Sequence, residues 1–425
     1  MMFITKSIMP TINKLIKVAS LLCVINSVPA IYALEQELSG LIDFRYTSTD
    51  SFDSYIKGGY GKFRYSDGNK VSLAQLALHY KLDWENNFSF HLITNAYGDD
   101  ENNNIGITES YLKYLSIPTD KGYRYQFRAG FMYPKISLEN NATGWSSPYT
   151  LSYSTMNTWI GEEVKHIGLE TSVTKLGKFS GDAFDLTLDL SLFTHNDPNG
   201  SMLSWHGWTQ SSRQSFWNEK LDFPHFPALY PGQALENQAR QSDPFLELDS
   251  NVGYHINGEW NLRRKVKLSL GYYDNRGGVD IVENGQYDWQ TKFSHIGVKW
   301  QLSNDLLLIA QQMSGDTRMR VVGNLDVVAI NFNNACVLLS KKWDAHRITA
   351  RIEKFDVEDI DHITGDDNNE DGKSATLSYA YRMNKNFFVH LEYNWIDSNR
   401  FSRYYHHLET DTTESQFQLA GRYYF

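Results

Sequence analysis

The segment 417–425, read as a β-strand, limits the fold of this chain more than any other part of the sequence. One face of the strand is apolar, with Phe417, Leu419, Tyr423 and Phe425, while the other carries Gln418, Ala420 and Arg422. In water, an unpaired strand with such an apolar face promotes aggregation. In lipid, the last strand of a closed barrel pairs with the first, so the same strand is stable. The segment therefore predicts an all-β fold, a transmembrane antiparallel β-barrel.

Alternation of apolar and polar residues recurs along the chain at the period of two that half-buried strands require. The pattern is clear in the segments 76–84, 88–92, 123–129, 266–272, 348–352 and 387–395. In a large membrane barrel the apolar side chains face lipid and the polar side chains face the lumen. The alternation therefore predicts which residues line the barrel interior.

The connections between these strands alternate in length, as they do in barrels with short periplasmic turns and long outer loops. Short turns are predicted near 85–87, 117–121, 176–181, 259–261, 302–304, 342–344 and 384–385. Long loops are predicted near 97–104, 134–162, 196–245, 275–287, 315–325, 359–372 and 399–414. Together with a first strand near 37–48, this count gives sixteen strands. The strand-like segment 53–66 is assigned to the first outer loop, because a seventeenth strand would place the two termini on opposite sides of the membrane.

The first 33 residues have the pattern of a signal peptide. Lys6, Lys14 and Lys17 form a positive region, and the apolar stretch 18–28 follows. Cleavage is predicted after Ala33, with Ala30 as the alternative. The mature chain, 34–425, is then a single outer-membrane barrel domain.

The charge and cysteine content exclude several classes of protein. The full chain has a net charge of −10, and loss of the three lysines makes the mature chain still more acidic, which argues against nucleic acid as a partner. Only Cys336 remains after cleavage, so no internal disulfide is expected. Cys336 is predicted to face lipid or to pack within a strand.

Three pairs of cations on predicted strand faces are candidates for the wall of a pore. They are Arg124 with Arg128, Lys265 with Lys267, and Arg347 with Arg351. Rows of one charge sign across a pore orient polar solutes and filter ions. The alternative is that these residues only pair with acids inside a polar lumen.

The loop 134–162 follows a predicted strand and is predicted to fold into the barrel and narrow the lumen. Trp145, Tyr149 and Trp159 are candidates for stacking on sugar faces. Glu139, Glu162 and the adjacent Glu163 are candidates for binding hydroxyl groups or selecting cations. The alternative is that the aromatic side chains only fill the loop's own core.

The remaining loops suggest no catalytic set or cofactor. The loop 196–245 is rich in Trp and long enough to be functional. The segment 367–372 matches the start of a calcium loop, but Ser378 stands where a bidentate acid is needed, so a solvated acidic loop is expected. No spacing of Ser, His and Asp selects an active site, and an outer-membrane enzyme is the less favoured class.

Several stretches resemble a poorly characterised porin-like family of proteobacteria. They are 65–68 with 71–75, 144–149, 159–163 and 273–277. The layout is more distantly similar to that of the sixteen-stranded phosphate-selective porins, which are often trimers. The resemblance implies a Gram-negative outer-membrane porin for passive diffusion of small hydrophilic solutes or ions. It also implies outer-membrane lipid and the barrel-assembly machinery as partners, and it leaves a homotrimer open. The alternative is a surface-binding or adhesin barrel with a blocked lumen.

Overall fold

Sixteen antiparallel strands form a closed barrel, as predicted. The computed structural model describes residues 35–99, 104–278, 281–321 and 325–425, so the predicted signal peptide lies outside the described residues. The strands are β1 (Glu35–Thr49), β2 (Gly68–Asp83), β3 (Phe88–Ala96), β4 (Ile105–Leu115), β5 (Tyr123–Met132), β6 (His166–Lys175), β7 (Phe184–Thr194), β8 (Gly253–Leu262), β9 (Val266–Asp274), β10 (Trp289–Gln301), β11 (Leu306–Val321), β12 (Leu325–Trp343), β13 (His346–Asp359), β14 (Glu370–Arg382), β15 (Phe387–Arg400) and β16 (Asp411–Tyr424).

The barrel closes through the terminal strand, as the sequence predicted. Strand β16 pairs with β1 in the register Leu41 opposite Tyr424. Beyond this ladder, Gly40 N donates to Phe425 O at 3.0 Å and Phe425 N donates to Gly40 O at 3.2 Å. A Cβ atom at Gly40 would lie 2.3 Å from the Phe425 ring and 2.8 Å from the Ala77 carbonyl oxygen, so a larger residue would displace this closure. The last residue therefore completes the sheet.

Loops connect the strands at the extracellular end, and we number them by their position in the barrel. Those that the described residues include, in whole or in part, are L1 (50–67), L2 (97–99 and 104), L3 (133–165), L4 (195–252), L5 (275–278 and 281–288), L7 (360–369) and L8 (401–410). L3 contains helix α1 (Thr155–Glu163), and L4 contains helix α2 (Ser201–His206). Short 3-10 turns and small hairpins occupy Thr143–Trp145, Gly177–Phe179, Pro227–Leu229, Phe401–His406, Leu221–Asp222 with Gln241–Ser242, and Val282–Glu283 with Gln286–Tyr287.

The segment 53–66 belongs to L1, as predicted. Its strand-like residues form only isolated bridges, among them Lys57 with Asp222 and Phe63 with Gln210 in L4. L1 therefore folds over the barrel mouth against L4 and does not cross the membrane.

Two predicted connections are wrong. The turn expected at 259–261 lies at 263–265, where Arg263 and Arg264 take the left-handed φ values of 44° and 59° that a tight turn needs. The loop expected at 315–325 is mostly strand, because β11 continues to Val321 and β12 begins at Leu325. Polar residues in this hairpin suggested a loop, but ion pairs such as Arg320 Nε to Asp326 Oδ1 at 2.7 Å stabilise it.

The outer wall of the barrel is apolar around its middle and carries aromatic side chains near the periplasmic turns. These aromatic residues, each more than a third exposed, are Tyr123, Trp300, Trp343, Tyr381, Tyr423 and Phe425. An apolar band with an aromatic girdle is the surface that a barrel presents to lipid. The protein is therefore an outer-membrane protein. The described residues contain no helix that is both long and apolar enough to span a bilayer.

Near the extracellular end the pattern of the wall reverses. In β12 and β13 the inward side chains include Phe332, Phe355 and Val357, which are buried, while Asn333 and Glu358 are exposed on the outside. This inversion is typical of a sheet in water around an apolar core. The barrel therefore rises above the membrane and encloses its own hydrophobic core there.

Candidate functional site

Loop L3 folds into the barrel, as predicted, and its inner segment (146–155) lies against the lumen wall. Leu151 N and Ser152 N donate to the carboxylate oxygens of Glu392 on β15, at 2.5 and 2.9 Å. The Ser152 hydroxyl donates to the same carboxylate at 2.5 Å. One wall acid therefore fixes the centre of the inner segment.

Arg351 on β13 is the main cation holding L3, and it is buried. Its guanidinium binds Glu353 with Nε to Oε1 at 2.9 Å and approaches Glu139 of L3 with Nη1 to Oε2 at 3.6 Å. It also donates to the carbonyl oxygens of Ser152 at 2.9 Å and Tyr153 at 2.8 Å. Arg351 and Glu139, both predicted as pore-lining residues, thus bind wall and loop together.

A second buried cluster links the terminal strand to L3. Arg45 Nη2 and Arg422 Nε each lie 2.7 Å from Asp43 Oδ2. Arg422 Nη1 also donates to Ser147 O at 2.9 Å, and Arg45 Nη2 donates to Leu151 O at 3.3 Å. The lumen face of the last strand, read correctly from the sequence, therefore contacts the loop directly.

Helix α1 anchors the upper part of L3 in the apolar core. Ser154 caps the N-terminus of the helix with its hydroxyl group. The Trp159 ring lies 5.5 Å from Phe293, 5.3 Å from Phe332 and 6.0 Å from Trp208, centroid to centroid. Trp159 is 2% exposed, so a solute does not reach it while α1 stays in place.

Glu163 connects L3 to L4. Its carboxylate accepts from the N–H groups of Gly200 at 3.1 Å and Met202 at 2.9 Å, and from the Ser201 hydroxyl at 3.0 Å. It also accepts from Trp159 Nε1 at 2.7 Å. A carboxylate at the start of α2 satisfies N–H groups that have no partner within the helix. Glu163 therefore acts as a cap between the two loops.

Ion pairs that the sequence analysis missed fix L1, L2 and L4 over the mouth. Asp99 accepts from Arg64 Nε of L1 and from Arg213 Nε of L4, both at 2.8 Å. Glu370 on β14 pairs with Lys62 of L1 and, at 3.2 Å, with Arg400. Charges within the otherwise aromatic segment 60–65 were the available signal, but their distant partners cannot be read from spacing.

These contacts fill the barrel around its whole circumference. Each of the sixteen strands contributes an inward side chain that is at most 8% exposed. One such residue per strand, in order, is Asp43, Gln75, Asn95, Glu109, Met132, Glu170, Asp189, Asn257, Ser269, His295, Gln311, Leu338, Arg351, Ser378, Asn394 and Gln418. Inward side chains are therefore buried around the whole barrel.

The other predicted cations lie nearer the periplasmic end. Arg128 binds Glu170 through two bonds, at 2.8 and 2.6 Å, and Lys267 pairs with Glu259 at 2.5 Å. Arg124 lies on the same inward face of β5 as Arg128 and is partly exposed. The placement of Lys265 on a strand face was wrong: it is exposed in the turn before β9, because that turn lies later in the chain than predicted.

Two aromatic residues of L3 lie at the lower edge of the loop. Trp145 stacks on Tyr133, with ring centroids 4.4 Å apart. Tyr149 lies under two cations, with Arg347 Cζ at 5.3 Å and Lys299 Nζ at 5.5 Å from its ring centroid. Cation–π contacts of this kind leave little of the Tyr149 ring for a solute.

Two cavities lie on the periplasmic side of the loops that fill the lumen. The larger, of 380 Å³, is lined by the cations Lys342, Arg347, Arg382 and Lys385, the acid Asp344, and mainly apolar or aromatic neighbours. The smaller, of 220 Å³, is lined by Arg128, Lys135 and Lys267 together with Glu109 and Glu259. Cations outnumber acids in both cavities, so the periplasmic entrance has a positive charge balance.

Cys336 packs within a strand. It is buried on the lumen side of β12, the same side as Asn334, whose amide donates to Thr155 of L3 at 2.7 Å.

The acidic segment 367–372 leads into β14. Glu370 begins this strand and pairs with Lys62 and Arg400, so its carboxylate does not point into a calcium loop.

Glu162 makes the packing of L3 sensitive to pH. Burial raises the pKa of Glu162 from 4.5 to about 8, and the charge of Glu163 adds to the effect. In the unfolded chain Glu162 loses its proton near pH 4.5, whereas in the folded protein it keeps the proton up to about pH 8. The stabilisation from this bound proton is therefore fully present below pH 4.5 and is lost as the pH rises through 8. We expect the melting temperature of the wild type to fall between pH 6 and 9, and to fall less in Glu162→Gln. Circular dichroism melts measure this, with Glu409→Gln in exposed L8 as the control; equal slopes would contradict the prediction.

Comparisons with known proteins agree on the fold. No protein-family profile and no curated protein sequence match the chain. Among solved structures, the outer-membrane channel DcaP of Acinetobacter baumannii has 9% identity and a TM-score of 0.54, covering 92% of this chain and 97% of that chain. An anion-selective porin from Comamonas acidovorans has 10% identity and a TM-score of 0.51, covering 92% and 99%. At these identities the likeness concerns architecture alone. The chain is an outer-membrane β-barrel with the sixteen-stranded fold of the porins.

Proposed function

We propose that this protein is a loop-gated porin, which gives small hydrophilic solutes or ions passive passage when L3 leaves the lumen. The observation that carries the proposal is the polar interface between the inner segment of L3 and the wall. Hydrogen bonds such as those from Leu151 and Ser152 to Glu392 can be exchanged for bonds to water, so each contributes only about 1.5–3 kcal/mol to the closed form, the range for bonds to a charged group. A polar interface of this kind suits a movable gate.

Helix α1 holds the upper end of L3 in the apolar core. Trp159 packs in the upper core, while the segment 146–155 below it is rich in Ser and Thr and faces charged wall residues. Opening the lower segment exposes Tyr149, Leu151 and Tyr153, whereas moving α1 also exposes Met156, Trp159 and Ile160 of the apolar core. We therefore place the hinge of the gate at α1 and the moving part at residues 140–154.

A surface-binding barrel with a blocked lumen is the second candidate, and the closed ring of inward side chains favours it. Planar-bilayer recordings distinguish the two functions. A gated porin produces discrete conductance steps, and these become larger or more frequent when L3 is destabilised. A binding barrel produces none in the wild type or in the L3 variants, and that result would overturn the porin proposal.

We expect the open channel to prefer anions, because cations outnumber acids in both periplasmic cavities. The triple variant Lys342→Gln, Arg382→Gln and Lys385→Gln removes three charges from the larger cavity. It should shift the reversal potential in a KCl gradient towards that of potassium. Bilayer recordings of the wild type and the variant measure this shift.

A matched control removes three exposed cations that lie in periplasmic turns outside the cavities. The residues are Lys121, Lys178 and Lys265, each changed to Gln. Since surface charges on the turns are screened by salt, this variant should keep the wild-type reversal potential. An equal shift in both triple variants would show that total charge, and not the cavity, sets the selectivity.

We propose that the protein has a transport role and has no catalytic activity or cofactor. The polar lumen and the gate-like loop L3 support the transport role. Outer-membrane lipid is the partner of the apolar outer wall. Recognition of the terminal strand by the barrel-assembly machinery and assembly into a homotrimer stay predictions, and sedimentation of the detergent-solubilised protein tests the trimer.

A further inference from the structure

Carboxylates from both ends of L4 come together at the extracellular rim of the barrel. Asp197 follows β7, while Glu247 and Asp249 precede β8. One oxygen atom from each of the three carboxylates lies within 4.8 Å of the other two. Three negative charges at such distances repel one another strongly unless protons or a cation compensate them.

Asp288 of L5 is a buried carboxylate that lies beside Asp249, next to this group. It is 1% exposed, and its Oδ1 atom has no hydrogen-bond partner among the described residues. Its Oδ2 atom accepts from Gly278 N. A Cβ atom at Gly278 would lie 2.9 Å from Asp288 Oδ2 and 3.1 Å from Asp249 Oδ2, so both carboxylates lie against this glycine. A buried carboxylate oxygen without a partner is costly and indicates a missing ligand.

The protein supplies little positive charge to the group. Within the described ranges, the recorded ion pairs include none for Asp197, Asp249 or Asp288, and Glu247 approaches only His195, with Oε2 to Nδ1 at 3.7 Å. Backbone N–H groups donate to the cluster, among them Leu248 N and Asp249 N to Asp197 and Asn251 N to Asp249, but these donors carry no full charge. The geometry therefore leaves room for an external cation to balance the carboxylates.

We propose that Asp197, Glu247, Asp249 and Asp288 bind a calcium ion at the extracellular rim. Calcium takes six to eight oxygen ligands in flexible geometry, and carboxylates are its preferred protein ligands. Magnesium demands a near-ideal octahedron and keeps several waters, which suits clustered carboxylates from separate loops less well. Extracellular calcium sites typically have a Kd on the order of 10⁻⁴–10⁻³ M.

A calcium ion at this position would link L4 to L5, next to contacts between L4 and L3. Trp289 N donates to Asp197 O at 2.9 Å, directly after the ligand Asp288. Asn196, the neighbour of Asp197, donates through Nδ2 to Glu163 O, at the end of α1. Because the site joins the two ends of L4 to L5 beside these contacts, the bound ion stabilises the closed arrangement of the loops.

The test compares melting temperatures of the full refolded chain in detergent, with Ca²⁺ at millimolar concentration or with EDTA. Ca²⁺ should raise the melting temperature of the wild type but not that of Asp249→Asn with Asp288→Asn. In EDTA the double variant should be at least as stable as the wild type, since it lacks two repelling charges. Isothermal titration with Ca²⁺ should give one site in the wild type, weakened at least tenfold in the double variant.

The control variant changes two exposed acids elsewhere in the outer loops, Asp67→Asn with Glu409→Gln, and should respond to Ca²⁺ as the wild type does. Folding of each variant is checked by its altered migration on unheated gels. If the double variant does not fold, Glu247→Gln at the partly exposed edge of the site serves the same comparison. The absence of a Ca²⁺ effect on the wild type, an equal effect on all variants, or an equal effect of Mg²⁺ would overturn the proposal.

Discussion

Deletion of residues 140–156 is expected to raise the single-channel conductance severalfold. The deletion removes the inner segment of L3 and exposes the wall residues that it now covers, including Arg45, Glu392 and Arg422. These charged side chains then line a hydrated lumen, which a barrel of sixteen strands is wide enough to contain. Planar-bilayer recordings of the purified variant against the wild type provide the measurement.

A deletion of similar type but outside the lumen controls for general loosening of the loops. Residues 231–234 of L4 are exposed, and their removal should leave the conductance at the wild-type level. Both deleted proteins must show the gel migration of a folded barrel. A folded 140–156 deletion with wild-type conductance would mean that L3 does not close the lumen, and the gate would then have to be sought in L4.

Replacement of Arg351 by Met is expected to release L3 by leaving buried acids without their cation. Arg351 balances Glu353 and Glu139 and holds the carbonyl oxygens of Ser152 and Tyr153. Removing one partner from a buried ion pair costs about 3–5 kcal/mol, much more than the loss of an exposed pair. We expect a lower melting temperature, faster proteolysis within L3 and more frequent channel openings.

Two variants show whether the effect arises from the buried charges. Arg351→Met combined with Glu353→Gln and Glu139→Gln removes the unpaired acids and should recover part of the lost stability. Lys341→Met removes a cation from the periplasmic end of β12, where its pair with Asp305 is exposed, and should change little. If the single and triple variants of the Arg351 cluster were equally unstable, the packing of the arginine stem would be the cause and not its charge.

The barrel itself could be predicted because its rules are local. Alternation along each strand separates lipid-facing from lumen-facing residues. Gln418 and Arg351 face the lumen, for example, while their neighbours Leu419 and Ile352 face lipid. The parity of the strand count followed from the order of short and long connections. The error at 315–325 occurred where the local rule changes, because Asp316 and Arg318 lie above the lipid and resemble loop residues.

The interior of the barrel could not be predicted to the same degree. The sequence indicated that L3 enters the lumen, but not that L1 and L4 close the mouth over it. Trp159 and Glu163 were read as residues for a solute, while the structure places them in contact with Phe332 and with the start of α2. Asp288 and Asp197, which lie 91 positions apart, were not considered together at all.

The sequence by itself thus determined the membrane environment, the number of strands and the face on which most wall residues lie. All three follow from two requirements of strands in lipid. Every backbone N–H and C=O group must be paired with a neighbouring strand, and apolar side chains must face lipid at every second residue. Only the tertiary structure decided which loops fill the lumen, how they contact the wall, and which acids meet at the rim. These features depend on contacts between residues far apart in the chain, such as Arg351 with Glu139 or Lys62 with Glu370, and no local pattern encodes them.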